Sequence, residues 1–355
     1  MAKSSPLLNL LAGTFALEQW DAERGSLLLA EARASGLLGR VAHLLASSQQ
    51  TGALAPQLQA QLTAATIHAN RFRQDVWREL GAVEQALSGL RAPVILLKGA
   101  SYVLLGLPAA PGRVFNDIDI LVPKNQMAFA EAALMLGGWA IGKLDAYDQR
   151  YYRQWSHEIP PMTHLRRGTT LDLHHSLVMP TCRVQVDSSR MIAAAVPVRG
   201  SGLWWRLQDE DMVLHAASHL MLNSEFDRGL RDIGDIDSLY RHFTSLSLDF
   251  PARLLARAQE LGLAPILTQV LWLASVFFKT PLPPGLLPIK NSLFLRLVAR
   301  AASTRHPDTR PVGQSWADLV LLLREMYLRL PNRLLLVHLL HKMSFSFSKV
   351  EKVAA

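Results

Sequence analysis

The chain has 355 residues, enough to bury a substantial core and to build two or three structural units. Half of its residues are apolar and 19% are charged, which excludes a disordered tail, and its single cysteine, Cys182, excludes an internal disulfide or a cysteine-rich zinc site. Lys and Arg total 37 against 29 Asp and Glu, a net +8 that suits a nucleoside triphosphate, a nucleic acid or an anionic membrane surface without choosing among them. The basic residues are scattered and form no arm for binding duplexes.

Lys3 is followed by Leu7, Leu8, Leu10 and Leu11, but Asn9 interrupts the apolar run and Glu18 and Asp21 follow it. That pattern predicts a helix rather than a signal peptide, and with one cysteine the expected location is cytoplasmic. Ala and Leu at helical spacing make residues 1–90 helical, with Pro56 opening a helix and Ile67, Val76, Leu80, Val83 and Leu87 marking an amphipathic one. After Pro93, Val94-Ile95-Leu96-Leu97 reads as a short buried strand ended by Lys98-Gly99. A helix over residues 100–105, a loop through Gly106, Pro108, Pro111 and Gly112, a strand over 117–122 and a helix over 124–136 follow. Residues 155–177 read as further strands with a turn at Arg167-Gly168, and helix resumes after Pro180, notably over 209–222 and 227–243. Pro281, Pro283, Pro284 and Pro288 then set off a C-terminal helical unit.

The expected fold class is α+β, a small mixed sheet core over residues 91–180 between helical regions over 1–90 and 181–355. Residues 261–278 carry no formal charge, and they form either a buried helix or a membrane span. The leucines of residues 319–340, interleaved with Arg324, Arg329 and Arg333, form either core or a peripheral membrane contact.

Chemistry concentrates in Asn116-Asp117-Ile118-Asp119-Ile120-Leu121-Val122. Side chains alternate along a strand, so Asp117 and Asp119 share one face while Ile118, Ile120 and Val122 share the other. Adjacent carboxylates repel and are costly to bury, and a divalent cation with oxygen ligands relieves both costs. Thr170-Leu171-Asp172-Leu173-His174 repeats the pattern, and if the two strands adjoin, Asp172 completes a three-carboxylate site able to hold two magnesium ions for in-line displacement. Gly99 at a strand-to-helix junction either lets backbone amides reach a phosphate or simply makes the turn. Lys98 either pairs with phosphate or is solvated, and Arg113 either clamps a phosphate or bridges to an acid. His174 shares a face with Asp172 and borders the site or supports the strand. His215 and His219 have the i, i+4 spacing of a helical metal pair but lack a third ligand in the sequence. Asp232 and Asp235 lie one turn apart, where they either attract a cationic acceptor or cap a surface.

Leu96-Leu97-Lys98-Gly99, Arg113 through Val122, and Leu171-Asp172-Leu173-His174 resemble the DNA polymerase beta-like nucleotidyltransferase superfamily. More closely they resemble the bacterial uncharacterised nucleotidyltransferase family, over about residues 90–245 including Leu230-Arg231-Asp232-Ile233-Gly234-Asp235. The resemblance implies Mg2+ (or Mn2+) at Asp117, Asp119 and Asp172, and a nucleoside triphosphate at Lys98, Gly99, Ser101 and Arg113. It implies transfer of a nucleoside monophosphate to an acceptor hydroxyl with release of pyrophosphate. The glycine motif departs from the superfamily pattern, since Ala100 rather than Gly or Ser follows Gly99 and Ser101 comes next. The acceptor (small molecule, peptide or protein, or RNA) is left open, no strong nucleic-acid-binding motif is present, and membrane association is not expected. The rival reading is a catalytically silent nucleotide-binding or interaction protein of the same fold.

Overall fold

A computed structural model describes residues 5–14, 21–48, 52, 54–115, 117–223, 226–287, 289 and 292–341; the readings of Lys3, Glu18, Asn116 and Pro288 lie outside them. The chain begins with α1 (Pro6–Leu11), α2 (Ala22–Ala34), α3 (Leu38–Ser47) and α4 (Pro56–Ala86). Ser5 and Asp21 cap the first two by accepting the Leu8 and Arg24 N–H groups. Pro56 opens α4 where a missing N–H costs no hydrogen bond, and Leu58, Leu62, Val76, Leu80 and Val83 form its buried stripe.

The sheet follows as β1 (Val94–Leu96), α5 (Lys98–Leu104), β2 (Asp117–Leu121), α6 (Met127–Leu136), β3 (Trp139–Ile141), α7 (Ala146–Arg150), β4 (Met162–His164) and β5 (Thr170–His174). It is completed by α8 (Ser188–Ala193), β6 (Val196–Pro197) and β7 (Trp204–Arg206). The strand order is β3-β4-β5-β2-β1-β7-β6, a mixed seven-stranded sheet with helices flanking it, as the α+β expectation required. β2 runs antiparallel to β1 and parallel to β5, with Asp119 opposite Asp172 and Leu121 opposite His174.

Helix was expected directly after Pro180, yet β6 and β7 still belong to the sheet, β7 pairing parallel with β1. Strands of two and three residues, one containing Pro197, are too short for alternation to show. α5 also starts at Lys98 rather than at residue 100, and the helix expected over 124–136 is a 3-10 turn over Lys124–Gln126 leading into α6.

Next come α9 (Asp209–Asn223), α10 (Gly229–Leu246), α11 (Phe250–Glu260), α12 (Ala264–Phe278), α13 (Ser292–Ala302) and α14 (Gln314–Arg329), with residues 332–341 also helical. One apolar core runs from Leu7 and Leu28 through β1, β2 and β5 to Leu214, Ile233 and Leu271. The charge-free segment is α12, buried through Leu267, Val270, Leu271 and Ala274; among the described residues no helix is long and apolar enough to cross a membrane. In the C-terminal run only part is core: Leu321 and Leu330 are buried, whereas Leu319, Leu322, Leu323, Leu336 and Leu340 are exposed.

α3 is locked to the loop ahead of β2 by a backbone contact between two glycines. A Cβ on Gly39 would lie 2.3 Å from the Gly112 carbonyl oxygen, and Gly112 has φ 71°, so neither position admits a side chain without moving main chain. Gly39→Ala should therefore cost about 1–3 kcal/mol in urea unfolding. Gly81→Ala, inside α4 with open space around it, should instead gain up to about 1 kcal/mol. Equal and small effects at the two sites would mean that the close contact does not hold α3 in place.

Candidate active site

β2 and β5 place Asp119 and Asp172 at paired positions on one face of the sheet, with Asp117 two residues before Asp119 on the same face. All three line a cavity of about 320 Å³ with Lys98, Gly99, Arg113 and His174. Ser101 is buried one turn into α5 and is not among the lining residues.

Asp119 is the anchored acid. Its Oδ1 lies 3.6 Å from Lys98 Nζ and 3.1 Å from His174 Nε2. Burial alone would raise its pKa, but Lys98 and His174 outweigh burial and hold the carboxyl well below its usual range. Lys98 takes φ 42°, a left-handed conformation costly for a residue with a side chain, right at the turn from β1 into α5.

Asp172 has the opposite environment. Burial, and then the charges of Asp119, Glu158 and Asp117, push its carboxyl up to about 8, and its buried Oδ1 has no hydrogen-bond partner. An acid crowded by acids, with a bare oxygen, is the donor chemistry that suits a hard divalent cation. The oxygens of the three aspartates are nonetheless not all within 4.8 Å of one another, and Asp119 Oδ1 faces Lys98 and His174.

The same cavity is also lined by guanidinium groups. Arg113, Arg228 and Arg231 line it with Asp232 and Asp235. Arg113 is buried and ion-paired to Asp235, while Arg40 from α3 reaches the same carboxylate at 2.6 Å and donates to the Ala109 carbonyl at 2.8 Å. Burial pulls both arginines down to about 10, and the Arg113 Nε finds no partner. Arg231 lies 2.8 Å from Asp232. These ion pairs occupy Asp235 and Asp232, so the reading of the two acids as a lure for a cationic acceptor is replaced by one in which they brace arginines.

Gly99 is required for packing. A Cβ there would fall 2.1 Å from the Phe115 ring, over which the Arg113 guanidinium sits 5.4 Å from the centroid. The small residue thus lets Phe115 support Arg113.

A family model described as uncharacterised nucleotidyltransferase matches residues 21–279. The chain belongs to this family. Comparison with curated proteins gives no match, and comparison with solved structures gives none. The family extent is wider than the resemblance read at about 90–245 and takes in α2 to α4, in keeping with the reach of Arg40 into the site. Membership in this family supports transferase activity in general.

Several wall residues carried no sequence signal. Tyr151 and Tyr152 come from a π-helical turn over Tyr151–Trp155, and His157 and Glu158 from the segment that meets the end of β5 through a bridge between Glu158 and His174. Their only hint was the cluster of aromatic and titratable residues just before Pro160-Pro161. His219, with Ala216 and Asn223, lines the cavity from α9, so the helical pair His215 and His219 packs toward Asp119 and Lys98, whose charges both rings feel.

The Asp172 environment gives a pH signature. In chelator-treated protein the folded chain keeps this carboxyl protonated to about pH 8, whereas an unfolded aspartate loses its proton near pH 4. The folded state therefore holds an extra proton at Asp172, and the contribution of this group to stability falls as pH rises from about 4 to about 8, then levels off. Asp172→Asn should gain on the parent protein across that window in thermal unfolding. Parallel pH profiles would show that no uncompensated carboxylate is buried there.

Proposed function

We propose that the chain transfers a nucleoside monophosphate from a nucleoside triphosphate to an acceptor hydroxyl, releasing pyrophosphate, in the manner of the DNA polymerase beta-like superfamily. The observation that carries this reading is a single cavity lined both by the three aspartates and by arginines that are ion-paired to other acids. Asp117, Asp119 and Asp172 are the residues that would hold Mg2+ or Mn2+. A divalent ion bound there would neutralise the acids and polarise phosphate oxygens.

The chain's own groups account for the rest. Arg113 and Arg231, stiffened by Asp235 and Asp232, bind and orient the triphosphate through charge-assisted hydrogen bonds. Lys98 lies next to Asp119 and can pair with a phosphate oxygen there. Asp172, in its ionised form, accepts the proton of the acceptor hydroxyl as the hydroxyl oxygen bonds to the α-phosphorus and the bond from that phosphorus to the oxygen bridging to the β-phosphate breaks. A second cavity of about 420 Å³, lined by Arg71, Phe72 and Arg167, shares Phe115 and Asp117 with the first and offers the acceptor a route to the same acids.

Asp119→Asn should abolish magnesium-dependent transfer, assayed with each labelled triphosphate in cell extract, while circular dichroism stays unchanged. Retained transfer by a folded variant would sink the assignment. Arg231→Ala should raise KM for the triphosphate roughly tenfold or more with a smaller change in kcat, the pattern of lost ground-state binding. A kcat loss with KM unchanged would remove Arg231 from triphosphate binding.

A further inference from the structure

The cavity wall carries a second donor set unlike the aspartates. The ligand atoms of His157, Glu158 and His174 lie within 4.8 Å of one another. Glu158 Oε2 is 3.4 Å from His174 Nε2 and 3.8 Å from His157 Nε2. A tetrahedral shell with bonds of about 2.0–2.1 Å sets its ligand atoms roughly 3.3–3.5 Å apart, so these three need little adjustment to share one ion. Asp119 Oδ1, 3.1 Å from His174 Nε2, lies next to this set but outside it.

The backbone brings consecutive residues to one spot. The His157 carbonyl accepts from both the His175 and Ser176 N–H groups, a two-to-one pairing of the bulge type, and Ile159 N–H donates to the Leu173 carbonyl. Both imidazoles are more than nine-tenths buried, and the Nδ1 atoms of both lack hydrogen-bond partners. The other ring nitrogen of each, Nε2, is the one that faces Glu158. Charge agrees. Asp117, Asp119 and Glu158 line the same cavity with Lys98 and Arg329, so carboxylates are at hand to balance part of the charge of a bound cation.

We propose that His157, Glu158 and His174 form a transition-metal site of the zinc class, separate in its donors from the magnesium-type carboxylate site. Imidazole nitrogens select borderline ions such as Zn2+ or Co2+ over Mg2+, which prefers oxygen. The site goes beyond the transfer reaction and does not depend on it, because its occupancy is read without nucleotide.

The test uses the full chain, stripped with chelator and titrated with Co2+ while visible d–d absorption is recorded. The expected result is one Co2+ per chain that millimolar Mg2+ does not displace. His157→Ala and the near-isosteric Glu158→Gln should each weaken it roughly tenfold or more, while Asp117→Asn leaves the spectrum and stoichiometry unchanged. If His157→Ala fails to fold, Glu158→Gln decides alone. Displacement by Mg2+, loss of the signal in Asp117→Asn, or unweakened binding in the folded His157 or Glu158 variants would each overturn the site. None of these outcomes touches the transfer assignment, which stands or falls on Asp119→Asn activity.

Discussion

Parallel pairing of β2 with β5 sets Asp119 opposite Asp172, and two carboxylates on neighbouring strands of one sheet face repel at close range. Other features of the cavity answer that repulsion. Lys98 is held in a left-handed turn with its ammonium against Asp119, and His174, two residues beyond Asp172, turns its ring toward the same oxygen. Asp172 is left with burial and three like charges, so it keeps its proton near neutrality. Such an arrangement is unfavourable for stability alone, and strain of this kind collects where charge is to be bound or moved.

Both signs of charge meet in one cavity. Asp117, Asp119 and Asp172 reach it from β2 and β5, while Arg113 and Arg231 reach it braced by Asp235 and Asp232. Bracing has a physical purpose. An unpaired guanidinium buried as deeply as Arg113 is expensive, whereas one paired to Asp235 and laid over Phe115 is held in place with part of its donor capacity unspent. A triphosphate would meet fixed donors instead of having to order flexible ones.

The strand periodicity of Asp117 and Asp119 was legible because alternation over five residues is a strong local signal, and so was the α+β layout. The adjacency of Asp172 was not a local property; it required β5 to return beside β2 across four intervening elements, and only the resemblance suggested it. Glu158, His157 and the two tyrosines were hidden because a π-helical turn and a bulge break both the 3.6 and the 2.0 period that sequence reading relies on. β6 and β7 were missed for a different reason: their pairing is long-range and their length gives no pattern. Asp235 was seen as a surface or acceptor-facing acid because helical spacing says nothing about the arginines that arrive from α3 and from the loop before β2.

That last pair explains why the site cannot be cut from its surroundings. Arg40 comes from α3, Arg113 from the loop before β2, and Asp235 from α10, so one carboxylate ties three distant parts of the chain together. The Gly39–Gly112 contact fixes α3 against that same loop within one residue of Arg40 and of Arg113. α14 adds Arg329 to the cavity wall from beyond the matched family segment, with the Arg329 carbonyl accepting from Thr181 and the Leu328 carbonyl from the Arg183 N–H. The helical regions are therefore walls of the site as well as supports of the sheet. A shift of α3 would change the position of Arg113 before it changed any carboxylate, so substrate binding should respond to the N-terminal helices sooner than the acid cluster does.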